Sequence, residues 1–252
     1  MLKQIKNLLA FLTVIPVRMD MDCLTDSAKC MYLFPLIGAL LGLIAGAFGW
    51  AASQFLPAIV AGSLSFGVLL LLTGLHHTDG LLDFGDAVMY HGTRERKIEI
   101  MHDQLTGAGA IGLGLMTYIV TAVSVGQFGS MLIIQSVIAI EVCAKLSMVV
   151  GTWAGKAVHK GMNSPFMDAM HGSGGTLRLI AAMLLSLAVA VPLMWLSGFL
   201  IAGFALIMAA ILSGLIMVTI AHRHFGGVTG DVLGASNEIT RMVCVIVLLA
   251  MI

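Results

Sequence analysis

The stretch His76-His77-Thr78-Asp79-Gly80-Leu81-Leu82-Asp83-Phe84-Gly85-Asp86, continuing through Arg94-Glu95-Arg96-Lys97 to Glu99, His102 and Asp103, interrupts an otherwise apolar chain. The protein carries 13 Lys or Arg and 13 Asp or Glu, and nine of them fall between residues 79 and 103. If 79–87 is helical, a 100° step per residue brings Asp79, Asp83 and Asp86 within roughly 60° of one face. Three carboxylates so placed repel one another, and a cation among them removes the conflict. A hard divalent ion with oxygen ligands fits such a face, Mg2+ ahead of Mn2+, because Mg2+ combines a few carboxylates with substrate phosphates. The alternative is a solvated acidic helix start, since Asp is favoured in a first turn.

Working outward, 59% hydrophobic residues, a mean hydropathy of +1.03 and 29 glycines in 252 residues exclude a soluble globular domain and indicate an integral membrane protein. A formal net charge of zero gives no electrostatic footprint for nucleic acid. Cys23, Cys30, Cys143 and Cys244 show neither CxxC spacing nor a disulfide framework, and read as free thiols.

The hydropathy pattern predicts an all-α, polytopic bundle forming one catalytic domain over 1–252. Seven segments of about 20 residues are expected to span, at 31–52, 57–76, 107–127, 130–154, 176–196, 198–221 and 232–252. Residues 1–17, with Lys3 and Lys6 among Leu2, Ile5, Leu8, Leu9 and Leu12 and an end at Pro16, read as an interfacial helix. Thr93–Leu105 reads as an amphipathic helix at the membrane surface, with Ile98, Met101 and Leu105 on one stripe and Glu95, Glu99, His102 and Asp103 beside it. Through the Gly92 turn its carboxylates are expected to return over the acid face of 79–86. Gly38, Gly42, Gly46 and Gly49 have the spacing for close helix packing, which is compatible with a homodimer.

Seven spans place Lys3, Lys6, Arg18, Lys29, Arg94, Arg96, Lys97, Lys156, Lys160 and Arg223 on one side, with all eight histidines on it or at its edge. The opposite connections, near 53–56, 128–129 and 197, hold no charge. The positive-inside rule makes the charged side cytoplasmic, so the expectation is a multi-pass protein of the cell membrane, in contact with lipid, working at its cytoplasmic face. Such one-sidedness favours an enzyme over a carrier with two polar mouths.

Glu141 and Lys145 stand four apart within the fourth span, and Glu238 and Arg241 three apart within the last. Either these charges line a polar cavity, the reading preferred here, or they pair inside the bundle. Two glycine-rich turns, His171–Thr176 and Gly226–Asp231, precede spans and offer backbone amides to phosphate oxygens. The second is the stronger candidate, combining Gly227, Thr229 and Asp231 with nearby Arg223.

Several motifs together resemble the cobalamin-5'-phosphate synthases, also called adenosylcobinamide-GDP ribazoletransferases. They are Ala10-Phe11-Leu12-Thr13-Val14-Ile15-Pro16-Val17, Phe34-Pro35-Leu36-Ile37-Gly38, Leu72-Thr73-Gly74 with His77-x-Asp79-Gly80-Leu81-x-Asp83-x-x-Asp86, Arg94–Asp103, and Gly226-Gly227-x-Thr229-Gly230-Asp231-x-Leu233-Gly234-Ala235. The resemblance implies Mg2+-dependent attack by the ribose 3'-hydroxyl of α-ribazole, or of its 5'-phosphate, on adenosylcobinamide-GDP, with loss of GMP. It implies that Asp79, Asp83 and Asp86 hold metal and pyrophosphate, and that His77 orients one of them or acts as base. Glu99, Asp103 and Asp231 are further candidates for metal or base, and Arg94, Arg96 and Arg223 for the GDP phosphates. The family usually has glycine where Leu75 and Ala87 stand, apolar residues at His76 and Thr78, and in many members an arginine near Lys145.

The Asp-Gly-x2-Asp-x2-Asp pattern is also similar to part of the CDP-alcohol phosphotransferase signature. The nearest alternative is therefore a phospholipid synthase, and outside enzymes a membrane transporter using Glu141, Lys145 and the histidines.

Overall fold

A computed structural model describes residues 2–17, 23–158, 161 and 163–252. Arg18, Asp20, Asp22 and Lys160, which the sequence places in charged connections, lie outside the described residues. Among those described, helices account for all the regular structure except one isolated bridge, Ala157 to Val228. They are α1 (Leu2–Leu12), α2 (Cys23–Lys29), α3 (Phe34–Ser53), α4 (Ala58–Leu72), α5 (His76–Met89), α6 (Arg94–Met101), α7 (Ala108–Val125), α8 (Gly129–Ala154), α9 (Ser164–His171), α10 (Gly175–Leu196), α11 (Leu200–Phe225) and α12 (Gly230–Leu249).

The bundle is built around α8. Every residue from 139 to 152 is buried, Glu141 and Lys145 among them, so the helix is enclosed on all sides. The glycines of α3 create its closest approach. A Cβ at Gly42 would lie 2.6 Å from the Ile138 Cα and one at Gly46 2.9 Å from the Ile134 Cα, so two backbones meet where side chains would hold them apart. Gly49 faces Ser65 of α4, whose hydroxyl donates to the Ala45 carbonyl (2.8 Å). The glycine stripe that suggested a second copy is thus filled within the chain.

Five stretches are long and apolar enough to cross a membrane, or six if α4 and α5 count as one. The expected seven are not confirmed by this count, for two reasons. The segment anticipated at 57–76 yields only fifteen helical residues, Ala58–Leu72, about 22 Å of helix against a hydrocarbon core of about 30 Å. The second reason is that α7 and α8 fall within one apolar stretch, Ala108–Ala154. That stretch is nevertheless broken at Gly129, where φ is +65°.

At the end of α4 the chain turns by 93°. Gly74 and Leu75 both adopt φ of 60°, and Leu75 is the one non-glycine with positive φ among the described residues. The left-handed region costs an L-residue about 1 kcal/mol or more, so this turn is enforced by tertiary contacts rather than chosen locally. The Val14 N–H donates to the Leu72 carbonyl (2.8 Å), and Val14 closes over Gly74. As a result α5 does not continue the direction of α4, and it is not one of the five stretches long and apolar enough to cross by themselves.

The N-terminal helix does more than lie at an interface. Leu8 and Leu12 are buried, Asn7 donates to Asp26 of α2 (3.1 Å), and Phe11 stacks on Phe166 of α9 at 5.0 Å. All four cysteines are free and buried.

Candidate active site

Helix α5 is positioned by two glycine crossings. A Cβ at Gly80 would lie 2.9 Å from both the Cα and the carbonyl oxygen of Asp231, and Gly234 faces His77 in the same crossing. The second crossing forms further along α5, where a Cβ at Gly85 would sit 2.9 Å from the Gly109 carbonyl of α7. Clasped between α12 and α7, α5 presents Asp79 and Asp83 beside Asp231, which comes from about 150 residues away in the chain. Helicity over 76–89 agrees with the expectation from spacing.

No lysine or arginine forms an ion pair with Asp79, Asp83, Asp86 or Asp231 among the described residues, and the cation acting on them is His102, beside Asp231. Burial first, then the charges of Asp79, Asp231 and Asp86, push the Asp83 carboxyl from 3.8 up to about 7. His102, at the end of α6, acts electrostatically on Asp231.

Asp86 has a second task. It accepts from the Gly107 N–H (2.6 Å) and the Ala110 N–H (2.8 Å), so its two oxygens satisfy the otherwise unpaired amides that open α7. Its place in the acid pattern therefore carries a capping role that spacing does not reveal.

Among the described residues no three His, Cys, Asp or Glu side chains form a group ready to hold one ion. Asp86 is engaged on α7. The donor chemistry nevertheless suits Mg2+: hard oxygens, negative charge without a lysine or arginine partner among the described residues, and an ion that takes only one or two protein carboxylates when phosphates complete its shell. The residues present fit such an ion.

His77 lies beneath this face, 6% exposed, with its Nδ1 lacking a hydrogen-bond partner. Burial, then the charges of Lys145, Arg241 and His76, hold its pKa well below the ordinary histidine range, so the imidazole is neutral.

Below it the internal charges pair off, contrary to the preferred cavity reading. Arg241 forms ion pairs with both Glu141 and Glu238 and lies 5.6 Å over the Phe66 ring. Lys145 donates to Asn237 (2.7 Å), and Asn237 donates to Glu238 (3.1 Å). All five side chains are at most 1% exposed, two acids balancing two bases. Lys145, expected at the substrate, is thus a member of the α8–α12 seam. Asn237 is missed by the sequence reading, although its position beside Glu238 in an apolar span signals it.

The remaining candidates separate. Thr229 caps α12, accepting from the Val232 N–H (3.3 Å), and Gly227 packs against the Lys156 carbonyl where Val228 N–H donates to that same oxygen (2.7 Å). This turn is a structural joint, with Asn163 Nδ2 donating to the Val228 carbonyl (3.0 Å). Glu99 pairs with Arg96 in the open (2.6 Å), so neither returns over α5. Arg94 Nε reaches the Arg223 carbonyl (3.4 Å), and neither arginine pairs with a carboxylate among the described residues. Nearby, and unforeseen, Lys97 Nζ lies 2.7 Å from His224 Nδ1.

Asp103 falls outside the acid face. It follows α6, accepts from the Leu105 N–H (3.2 Å), and lines a cavity of about 400 Å3 shared with Asp86, Tyr90, Ile100 and the start of α7.

Comparison with known proteins agrees with this picture. The model of the family described as cobalamin-5-phosphate synthase matches residues 4–249. The chain is 31% identical to the adenosylcobinamide-GDP ribazoletransferase of Methanosarcina barkeri, covering 96% of this chain and 90% of the relative. It is 32% identical to the enzyme of the same name from Methanocella arvoryzae, covering 96% and 93%, and 29% identical to that of Pyrococcus abyssi, covering 96% of each. No solved structure matches the chain. With the match running almost end to end, and through both helices that form the acid face, the chain belongs to the cobalamin-5-phosphate synthase family.

Proposed function

We propose that this membrane enzyme joins the two halves of a cobalamin, transferring the cobinamide phosphate of adenosylcobinamide-GDP to the ribose 3'-hydroxyl of α-ribazole or its 5'-phosphate. The hydroxyl oxygen forms a bond to the phosphorus nearest the cobinamide, the bond from that phosphorus to the GMP oxygen breaks, and the hydroxyl proton passes to a base. The observation that carries the location is the acid face formed by Asp79 and Asp83 of α5 with Asp231 of α12, which no lysine or arginine pairs with among the described residues.

Asp79 and Asp231 would hold Mg2+, which when bound supplies charge neutralisation for the phosphates and the departing oxygen. Asp83 is the proton acceptor in this reading, because it lies on the acid face beside Asp231 and its carboxyl is pushed to about 7, where proton transfer at neutral pH is efficient. Arg94 and Arg223, without acid partners among the described residues, are placed to receive the nucleotide phosphates. His77 stays neutral and supports the crossing of α5 with α12 instead of touching substrate. The positive-inside rule, with Arg94, Arg96, Lys97 and Arg223 near this face, supports a cytoplasmic orientation in the cell membrane.

The test is Mg2+-dependent GMP release by the purified protein in liposomes given adenosylcobinamide-GDP and α-ribazole, beside Asp79→Asn. GMP and a corrinoid product from the native chain, with neither from the variant, support the proposal. Turnover of a CDP-alcohol pair in place of these substrates would replace it with a phospholipid synthase. Uptake of labelled substrate into sealed vesicles without GMP release would replace it with a transporter.

A further inference from the structure

The cavity beside Asp103 has a chemistry of its own. Its volume of about 400 Å3 falls in the ~300–1,000 Å3 range of small-molecule sites. Its lining includes Tyr90, Ile100 and the largely exposed Leu105, whose aromatic and apolar character suits the faces of a planar heterocycle. Its charged groups are both carboxylates, Asp86 and Asp103, so it repels phosphate and favours a ligand edge that donates hydrogen bonds. Asp86 accepts one backbone N–H from the start of α7 on each oxygen, whereas Asp103 accepts only the Leu105 amide, on Oδ1, leaving acceptor sites on both of its oxygens.

Resting on the proposed reaction, we infer that this cavity holds the guanine of the nucleotide donor, with the Asp103 carboxylate accepting from guanine N1–H and the exocyclic amine. Guanine presents two adjacent N–H donors on one edge, which match the two oxygens of a carboxylate; adenine and a benzimidazole do not. Ala108 and Gly109, at the start of α7, also line the cavity, and their backbone amides would be the donors to guanine O6 and N7. Asp86 links the cavity to the acid face, since it lines one and acts on Asp83 in the other. From Asp86, Asp83 and Asp79 lie three and seven residues back along α5, about 4.5 and 10 Å at ~1.5 Å per residue, the direction and scale of a ribose diphosphate leading away from its base.

The test exchanges the hydrogen-bond pattern. Xanthine carries a carbonyl where guanine carries its amine, so Asp103→Asn, whose amide offers one acceptor and one donor, should prefer it. Binding of GMP and XMP to the purified full-length protein in detergent micelles is measured by equilibrium dialysis, without the corrinoid substrate. The expected result is GMP binding weakened by at least about tenfold, with XMP strengthened relative to GMP. Equal GMP and XMP responses in Asp103→Asn, or no change in either, would overturn the assignment. Should that variant fail to fold, Thr106→Trp at the rim is to weaken GMP binding by filling the cavity; unchanged binding there counts against the site equally. Native protein that binds GMP and shows the exchange yet releases no GMP from the donor would sink the proposed reaction and leave the pocket standing.

Discussion

Asp83→Asn tests whether the acid face carries real, unrelieved repulsion. The native carboxyl is raised from 3.8 to about 7, so the folded protein holds this proton more tightly than the unfolded chain. The folded state is therefore favoured by protonation: the penalty is absent below about pH 4, grows between about 4 and 7, and is fully present above 7. Roughly three pH units at ~1.4 kcal/mol each set an upper limit near 4 kcal/mol. Solvent screening at a partly exposed site brings this to about 2 kcal/mol. In a chain of 252 residues that corresponds to an apparent melting midpoint about 4–8 °C higher for Asp83→Asn at pH 8. The assay is thermal unfolding in detergent with EDTA, at about pH 8 and about pH 5, alongside GMP release. The variant should be inactive, more stable at pH 8, and closer to native at pH 5. Mg2+ should stabilise native protein more than the variant. A variant less stable than native at pH 8 in EDTA would mean that Asp83 is satisfied by the fold, and the argument for a repelling acid face would fail.

Other outcomes follow from the packing. Gly80→Ala drives a methyl into the Asp231 backbone, 2.9 Å away, and should cost about 1–3 kcal/mol while lowering kcat through displacement of Asp231; equal activity would show that α5 and α12 are free to part. Leu75→Gly removes a left-handed leucine and should raise the melting midpoint by the equivalent of about 1 kcal/mol with turnover retained, read by the same thermal scan. Arg241→Ala strands Glu141 and Glu238 inside the bundle and should cost about 3–5 kcal/mol, seen as loss of monodisperse protein on size exclusion; adding Glu141→Gln and Glu238→Gln should recover part of it.

Much of the fold was legible because apolar length and helical period are properties of the chain in one dimension. The buried run of α8 and the helix over 76–89 could both be read that way. The turn after Thr73 was less so: Leu75 has no local preference for φ of 60°, and only Val14 arriving against Gly74 closes that corner. Helical spacing suggested Glu141 with Lys145, yet Arg241 from another helix reaches Glu141 and leaves Lys145 to Asn237.

The sequence by itself determined an all-helical membrane enzyme with an acid face at its charged end, since both follow from periodicity and composition. Only the tertiary structure decided that Asp231 joins that face, that Asp86 caps α7, and that Asp103 belongs to a separate cavity. The physical reason is that each depends on where two backbones can touch. Gly80 against Asp231 and Gly85 against Gly109 set those contacts, and contact between distant segments is not encoded in the spacing along either one.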